Sequence, residues 1–183
     1  MSRRIMTQDV MNQTFERFAM QILENNGSDS TPALIGMQSR GVFLAKRIQS
    51  AATKLSAVEL DFGVLDITFY RDDFRTKLKM PEVKVTDIPF DLYDRDIVLV
   101  DDVLYTGRTV RSAMSAILDY GRPRSIKLCC MVDRGHRELP IAPDYVGVDV
   151  PTKENEEVRV RVAEMDGEDA VDVVEMTKDG GER

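Results

Sequence analysis

Apolar residues recur along this chain at two alternating periods. Between Thr7 and Glu24 the positions Val10, Met11, Phe15, Phe18, Ile22 and Leu23 follow helical spacing, and Asn25-Asn26-Gly27 stops the run. Pro32–Met37 is a short apolar run bounded by turn signals and predicts a strand. The segment from Ser39 through Leu55 predicts a helix, and Val58–Tyr70 predicts an extended stretch. Asp96–Asp101 predicts another strand, Thr109–Tyr120 a helix closed by Gly121 and Pro123, and Ser125–Val132 and Asp144–Val150 two more strands. Strands that alternate with helices predict one α/β domain, a parallel sheet with helices on both faces and right-handed connections. Residues 71–89 break the pattern: they are charged, with few apolar anchors, which in a compact domain predicts a functional lid or a disordered tip. The last residues, Thr177–Arg183, are expected to fray.

Composition narrows the class. The chain has 183 residues, 43% hydrophobic and 31% charged, the balance of a soluble globular domain with its own core. No apolar run approaches the roughly 20 residues of a membrane helix, and the polar start MSRRIMTQDV has no apolar signal region. Cys129 and Cys130 are adjacent in an apolar segment. They read as reduced core residues of a cytoplasmic protein, and no metal-ligand spacing accompanies the single His136. The net charge of −7 is uneven: from Lys153 onward 5 Lys/Arg face 11 Asp/Glu, whereas the preceding residues are nearly neutral. An acidic whole does not favour nucleic acid, although a local basic face remains open.

The chemistry concentrates in Ile97–Thr109, IVLVDDVLYTGRT. A buried strand runs into Asp101 and Asp102, then into a Thr-Gly-Arg-Thr turn that opens a helix. In an open parallel sheet, ligands bind beyond the carboxyl ends of the strands. Thr106, Gly107, Arg108 and Thr109 offer hydroxyls, close backbone approach and N–H donors at a helix N-terminus, which together make a phosphate cradle. It is neither a Walker loop nor a dinucleotide fingerprint, since neither pattern occurs. Two carboxylates would repel a phosphate unless sugar hydroxyls or a divalent cation lay between, and a ribose 5-phosphate satisfies both halves. The competing explanation is a strand that ends in solvated acids before an ordinary helix cap.

The same stretch resembles the phosphoribosyl-pyrophosphate (PRPP) signature of type I phosphoribosyltransferases. Together with LDITFYRDD, VDDVLYTGRTVR, GRPRSIKL, VDRGHRELPI and DYVGVDVPT it is similar to the PyrR family, pyrimidine-operon attenuators with uracil phosphoribosyltransferase activity. The resemblance covers nearly the whole chain. It implies a twisted, mainly parallel sheet flanked by helices, a flexible lid from 71–89 and a small C-terminal hood from about 134–183 over the base. It implies UMP and diphosphate made from uracil and PRPP with Mg²⁺, with Asp101 and Asp102 on the ribose hydroxyls or on Mg²⁺, directly or through water. Tyr105 to Thr109 would wrap the 5-phosphate. Tyr105 stands where many purine-using relatives carry a third acid, which argues against purines. Ser39, Arg40 and Gly41 lie in MQSRG, where the family reads closer to KTRG, and would bind the departing diphosphate. In the lid, Arg71 would contact diphosphate, followed by Arg75 and Lys77. Val132, Arg134, Arg137 and Val158 would border the base or nucleotide, with main-chain groups reading the uracil edge, whereas His136, between two arginines, reads as structural rather than as a general base.

The resemblance also implies UMP or UTP as regulators, a homodimer or higher homo-oligomer, no membrane, and a leader RNA hairpin as partner. Basic positions of that kind are thinned here: Ala142 stands in place of an Arg, Val148 in place of a Lys, and Met20 where His is frequent. Arg122, Arg124, Lys127 and Arg137 remain, and their plainer reading is a solvated basic turn. The enzyme is therefore favoured over an RNA-binding nucleotide sensor built on the same pocket. A PRPP site for orotate or a purine is the third reading, disfavoured by Tyr105 and the RGHREL match.

Overall fold

The computed structural model describes residues 2–25, 31–67 and 86–176. Its elements are β1 (Ser2–Met6), α1 (Gln8–Asn25), β2 (Ala33–Met37), α2 (Arg40–Ser56), β3 (Asp61–Leu65), β4 (Asp96–Leu104), α3 (Arg108–Tyr120), β5 (Ser125–Asp133), β6 (Tyr145–Asp149), β7 (Glu156–Arg161), α4 (Ala163–Asp166) and β8 (Ala170–Glu175). Five strands form a parallel sheet in the order β3-β2-β4-β5-β6, and β1-β8-β7 form a separate antiparallel sheet. The expected parallel α/β sheet is present. Arg71, Arg75, Lys77 and most of the 71–89 segment lie outside the described residues, as does the 177–183 tail. No helix among the described residues is long and apolar enough to cross a membrane.

Central strands are apolar without alternation because both faces are covered. All five residues of β2 are buried. Successive residues feed opposite cores: Leu34, Val98, Val100, Cys129 and Met131 pack toward α1, α2 and the small sheet, whereas Ile35, Met37, Ile97, Leu99 and Cys130 pack toward α3. Adjacent Cys129 and Cys130 thus point to opposite faces, both fully buried, and burial raises both thiol pKa values. In α1 the buried positions Met11, Thr14, Phe15, Phe18, Ala19 and Ile22 fall at helical intervals and form one stripe, as the spacing predicts.

The elements differ from the predicted bounds in instructive ways. Of the stretch expected to be extended, Asp61–Leu65 forms β3, paired with the five residues Ala33–Met37 of β2; 68–70 lie outside the described residues. β4 runs on to Leu104 because β5 continues beside it as far as Asp133. The acids Asp101 and Asp102 therefore sit inside a strand, not after its end. The small sheet has no counterpart in the predicted elements. It joins the N-terminal β1 to β7 and β8, while β6, within the 134–183 region, belongs to the large sheet. Its outer face is organised by Asp172, nearly buried on β8, whose carboxylate accepts from Arg4 of β1 (2.6 Å) and from Arg161 of β7.

α4 hooks this small sheet onto α2. Arg47 donates to Glu164 (2.6 Å) and Asp169 (2.8 Å), and Arg40 donates to Asp166 (2.8 Å). The arginine hydrogen bonds hold the Glu164 and Asp166 carboxyls below their usual range. At Asp169 burial pushes upward, but the Arg47 bond, the Ala163 N–H and the Arg47 charge outweigh it. Groups with depressed folded-state pKa values add stability above their unfolded pKa and lose it as pH falls through the folded values. The urea midpoint of the wild type should therefore drop as pH falls from about 5 toward 3. A Glu164→Gln/Asp166→Asn/Asp169→Asn variant should show a distinctly smaller drop over the same window, and equal drops would contradict the assignment.

Candidate active site

The large sheet reverses its winding between β2 and β4: the chain leaves β2 for β3 on one side and returns to β4 on the other. Such a switch point opens a crevice at the carboxyl ends of the strands. The β2–β4 ladder ends at Gly36–Val100, so from Asp101 onward that edge of β4 is uncovered, and the loop leaving β2 fills the space. Gln38 N–H in that loop donates to Leu65 O (3.0 Å), and the Gln38–Ser39 peptide is cis. Ser39 occupies the N-cap of α2 without using its side chain as the cap. α2 then comes so close to β4 that a Cβ on Gly41 would lie 2.4 Å from Val100 O, and only glycine fits there. Arg40, the first residue of α2, sends its guanidinium to Asp166, and both that carboxylate and Asp102 raise its pKa.

Across the crevice, Asp101 is almost buried and accepts the N–H of Asp102 (2.9 Å), while Asp102 accepts the N–H of Val103 (2.8 Å). The turn after β4 is held open by Gly107, whose φ of 88° is left-handed, and by Thr106 Oγ1, which accepts Arg108 N–H (3.3 Å). The first bond within α3 runs from Arg111 N–H to Gly107 O (2.9 Å), so the N–H groups of Thr109 and Val110 precede the ladder. A cavity of about 460 Å³ lies here, lined by Asp101, residues 103–110 and Ser112. Two helix N-termini thus flank one pair of carboxylates, and each terminus can take an anion.

The segment after β5 makes the third wall. Arg134 and Arg137, expected to border the base or nucleotide, have their guanidiniums engaged by protein groups. Arg134, 8% exposed, donates to Thr152 Oγ1 (3.1 Å) and Glu156 O (2.6 Å) and lies 4.1 Å from the Tyr105 ring centre. Arg137 donates to the carbonyls of Tyr105 (2.7 Å), Ile141 (2.8 Å) and Gly135 (3.2 Å) and to the Asp133 carboxylate. Thr106 O also accepts the N–H groups of Glu138 (3.0 Å) and Leu139 (3.2 Å). The segment after β5 is in this way stapled to the turn before α3. His136 donates Nε2–H to Thr152 O (2.6 Å) and sits edge-on to Tyr105. Val132 and Val158 are both buried in the core shared by α1, α2 and the small sheet.

A phosphoribosyl transferase domain family matches residues 4–164. The chain belongs to the phosphoribosyltransferase family. Within it the chain falls among PyrR proteins. A bifunctional protein PyrR from Elusimicrobium minutum is 45% identical over 179 residues, covering 98% of this chain and all of the relative. Another from Thermus thermophilus is 50% identical over 171 residues, covering 93% and 94%. The hypoxanthine phosphoribosyltransferase of Trypanosoma cruzi shares the fold, with a TM-score of 0.71 over 94% of this chain and 96% of that one at 16% identity.

Two residues of this crevice escape sequence reading. Asp133 carried a usable signal, a carboxylate at the last position of a parallel strand, and it pairs across the sheet with Leu104. Asp166 carried none, because it meets Arg40 across 126 positions of sequence. The staple yields a direct test. Arg137→Lys keeps the charge, but one ammonium cannot replace a guanidinium fork that reaches acceptors in several directions. The substitution should cost about 2 kcal/mol in chemical denaturation, and a cost under about 0.5 kcal/mol would mean the staple contributes little.

Proposed function

We propose that the protein is a uracil phosphoribosyltransferase that makes UMP and diphosphate from uracil and PRPP with Mg²⁺. The observation that carries this reading is the switch-point crevice, with two helix N-termini on either side of Asp101 and Asp102. The N–H and hydroxyl groups of Tyr105, Thr106, Gly107, Arg108 and Thr109 hold the 5-phosphate. Ser39, Arg40 and Gly41 receive the diphosphate, and the two acids accept the ribose hydroxyls. Among the described residues no cluster of three or more His, Cys, Asp or Glu gathers, and the Asp101–Asp102 pair is the set proposed for Mg²⁺. That set fits an ion that keeps several waters and completes its shell from substrate oxygens. When bound, Mg²⁺ supplies positive charge to the diphosphate oxygens.

The demanding step is departure of diphosphate from the anomeric carbon while the ribose takes on oxocarbenium character. Helix α2's N-terminus and Arg40 stabilise the charge that grows on the leaving group, and the acids fix the sugar. Electrostatic stabilisation dominates over side-chain proton transfer. His136 is held at Nε2 by Thr152 O and serves here as a structural residue. Arg71, from the segment outside the described residues, adds a cation on closure, and exclusion of water protects the reactive ribose. Uracil lies against the wall after β5, where Arg134 and Arg137 act as scaffold for backbone readout and Val132 and Val158 shape the apolar backing. Tyr105, pinned by Arg134 and His136, leaves no carboxylate to serve a purine ring nitrogen.

A second reading is the nucleotide-sensing attenuator, in which UMP or UTP occupies the same crevice and a leader RNA hairpin binds elsewhere; the PyrR relatives are named bifunctional. Its basic candidates are largely committed: Arg124 to Asp96, Arg137 to the staple, and Lys127 toward Asn25 O. The enzyme therefore leads. The test is UMP formation from radiolabelled uracil and PRPP. Activity should require Mg²⁺, and Asp102→Asn should lower turnover by more than about tenfold with folding intact. Tight PRPP binding without turnover would transfer the crevice to the sensor.

A further inference from the structure

Arg40 is gripped from the far side of the crevice. Its Nε and Nη2 donate to the two oxygens of Asp166 at 3.2 and 2.8 Å, a parallel two-bond fork. Asp166 is itself fixed, since its Oδ2 accepts Val162 N–H at 2.9 Å at the start of α4. A guanidinium has five N–H donors, and this fork uses two of them. Three N–H groups, on Nη1 and Nη2, point away from Asp166.

This contact is not needed merely to dock α4. Arg47 already ties α2 to Glu164 and Asp169, and Asp169 also accepts Ala163 N–H (2.8 Å). What the Asp166 fork adds is direction. A long arginine side chain loses considerable rotamer freedom when it binds an anion. Held beforehand in one plane, it loses much less on meeting its ligand. We propose that Asp166 is a positioning residue for the diphosphate end of PRPP, aiming the remaining N–H edge of Arg40 at the leaving group. The proposal rests on the reading above, in which Arg40 receives diphosphate. The opposing possibility is that Asp166 screens Arg40 and competes with the ligand. Orientation prevails here because the fork leaves a full donor edge available and a diphosphate can engage it bidentately.

The two roles have opposite signs in binding. Inorganic diphosphate, PRPP and UMP would be titrated calorimetrically with Mg²⁺ into wild type, Asp166→Asn, Arg40→Ala, the double variant and Glu164→Gln. Asp166→Asn should weaken diphosphate and PRPP about tenfold while UMP, which lacks the diphosphate, binds as before. Arg40→Ala should weaken them at least as much, and the double variant no further, because Asp166 acts through Arg40. Glu164→Gln, which loosens the hook without touching Arg40, should bind like wild type. Unchanged or tighter diphosphate binding by Asp166→Asn would overturn the proposal, as would a further loss in the double variant or an equal loss of UMP. A wild type that binds neither PRPP nor diphosphate would overturn the functional reading along with it. Normal wild-type binding with an unaffected Asp166→Asn would overturn the positioning role alone.

Discussion

The ladder between β2 and β4 stops at Gly36–Val100, while the ladder between β4 and β5 continues to Leu104–Asp133. The rest of the site depends on that mismatch. Asp101 and Asp102 lie on the part of β4 that has a strand partner on one side only, with Asp101 almost buried and Asp102 more open. The vacated space admits the turn that begins α2, and Gly41 lets that turn approach within backbone contact of Val100. The continuing β5 support keeps the strand straight as far as the turn before α3. One length difference between neighbouring strands thus brings two helix N-termini to the same pair of carboxylates.

Arginine is the second organising element, and most of it acts inside the protein. Arg137 joins the wall after β5 to the phosphate turn, Arg134 braces Tyr105, and Arg47 holds α4 on α2. Arg4 and Arg161 meet at Asp172 and bind the N-terminal strand into the small sheet. In each case the planar fork reaches several acceptors at once, which a lysine cannot do. Five of the eleven acids from Lys153 onward, Glu164, Asp166, Glu168, Asp169 and Asp172, face arginines, so part of the acidic excess of the C-terminal segment is locally paired.

The elements legible from sequence were those with long, uninterrupted apolar signals. α1 showed its stripe, β2 and β4 showed buried runs, and Gly121 marked the end of α3. The turn at Thr106–Thr109 was legible as a glycine-bearing turn that opens a helix, because glycine and helix-start chemistry are local. The small sheet was not. β1 is mostly exposed and charged, and β8 places a carboxylate at its centre, met by Arg4 from the other end of the chain and by Arg161 of the adjacent strand. The reach of β4 past the two acids was also hidden, since it is set by the length of β5 rather than by its own residues. The internal partners of Arg134 and Arg137, backbone carbonyls together with Thr152 Oγ1 and the Asp133 carboxylate, were likewise not displayed by any sequence pattern.

The most direct test of this account is a crystal structure with PRPP and Mg²⁺ bound. The account predicts the 5-phosphate within hydrogen-bonding distance of the N–H groups of residues 106–109, the ribose hydroxyls at Asp101 and Asp102, and the diphosphate at Ser39–Gly41 against Arg40. PRPP bound outside the β2–β4 crevice, or lying in it with its two phosphate ends exchanged, would contradict it.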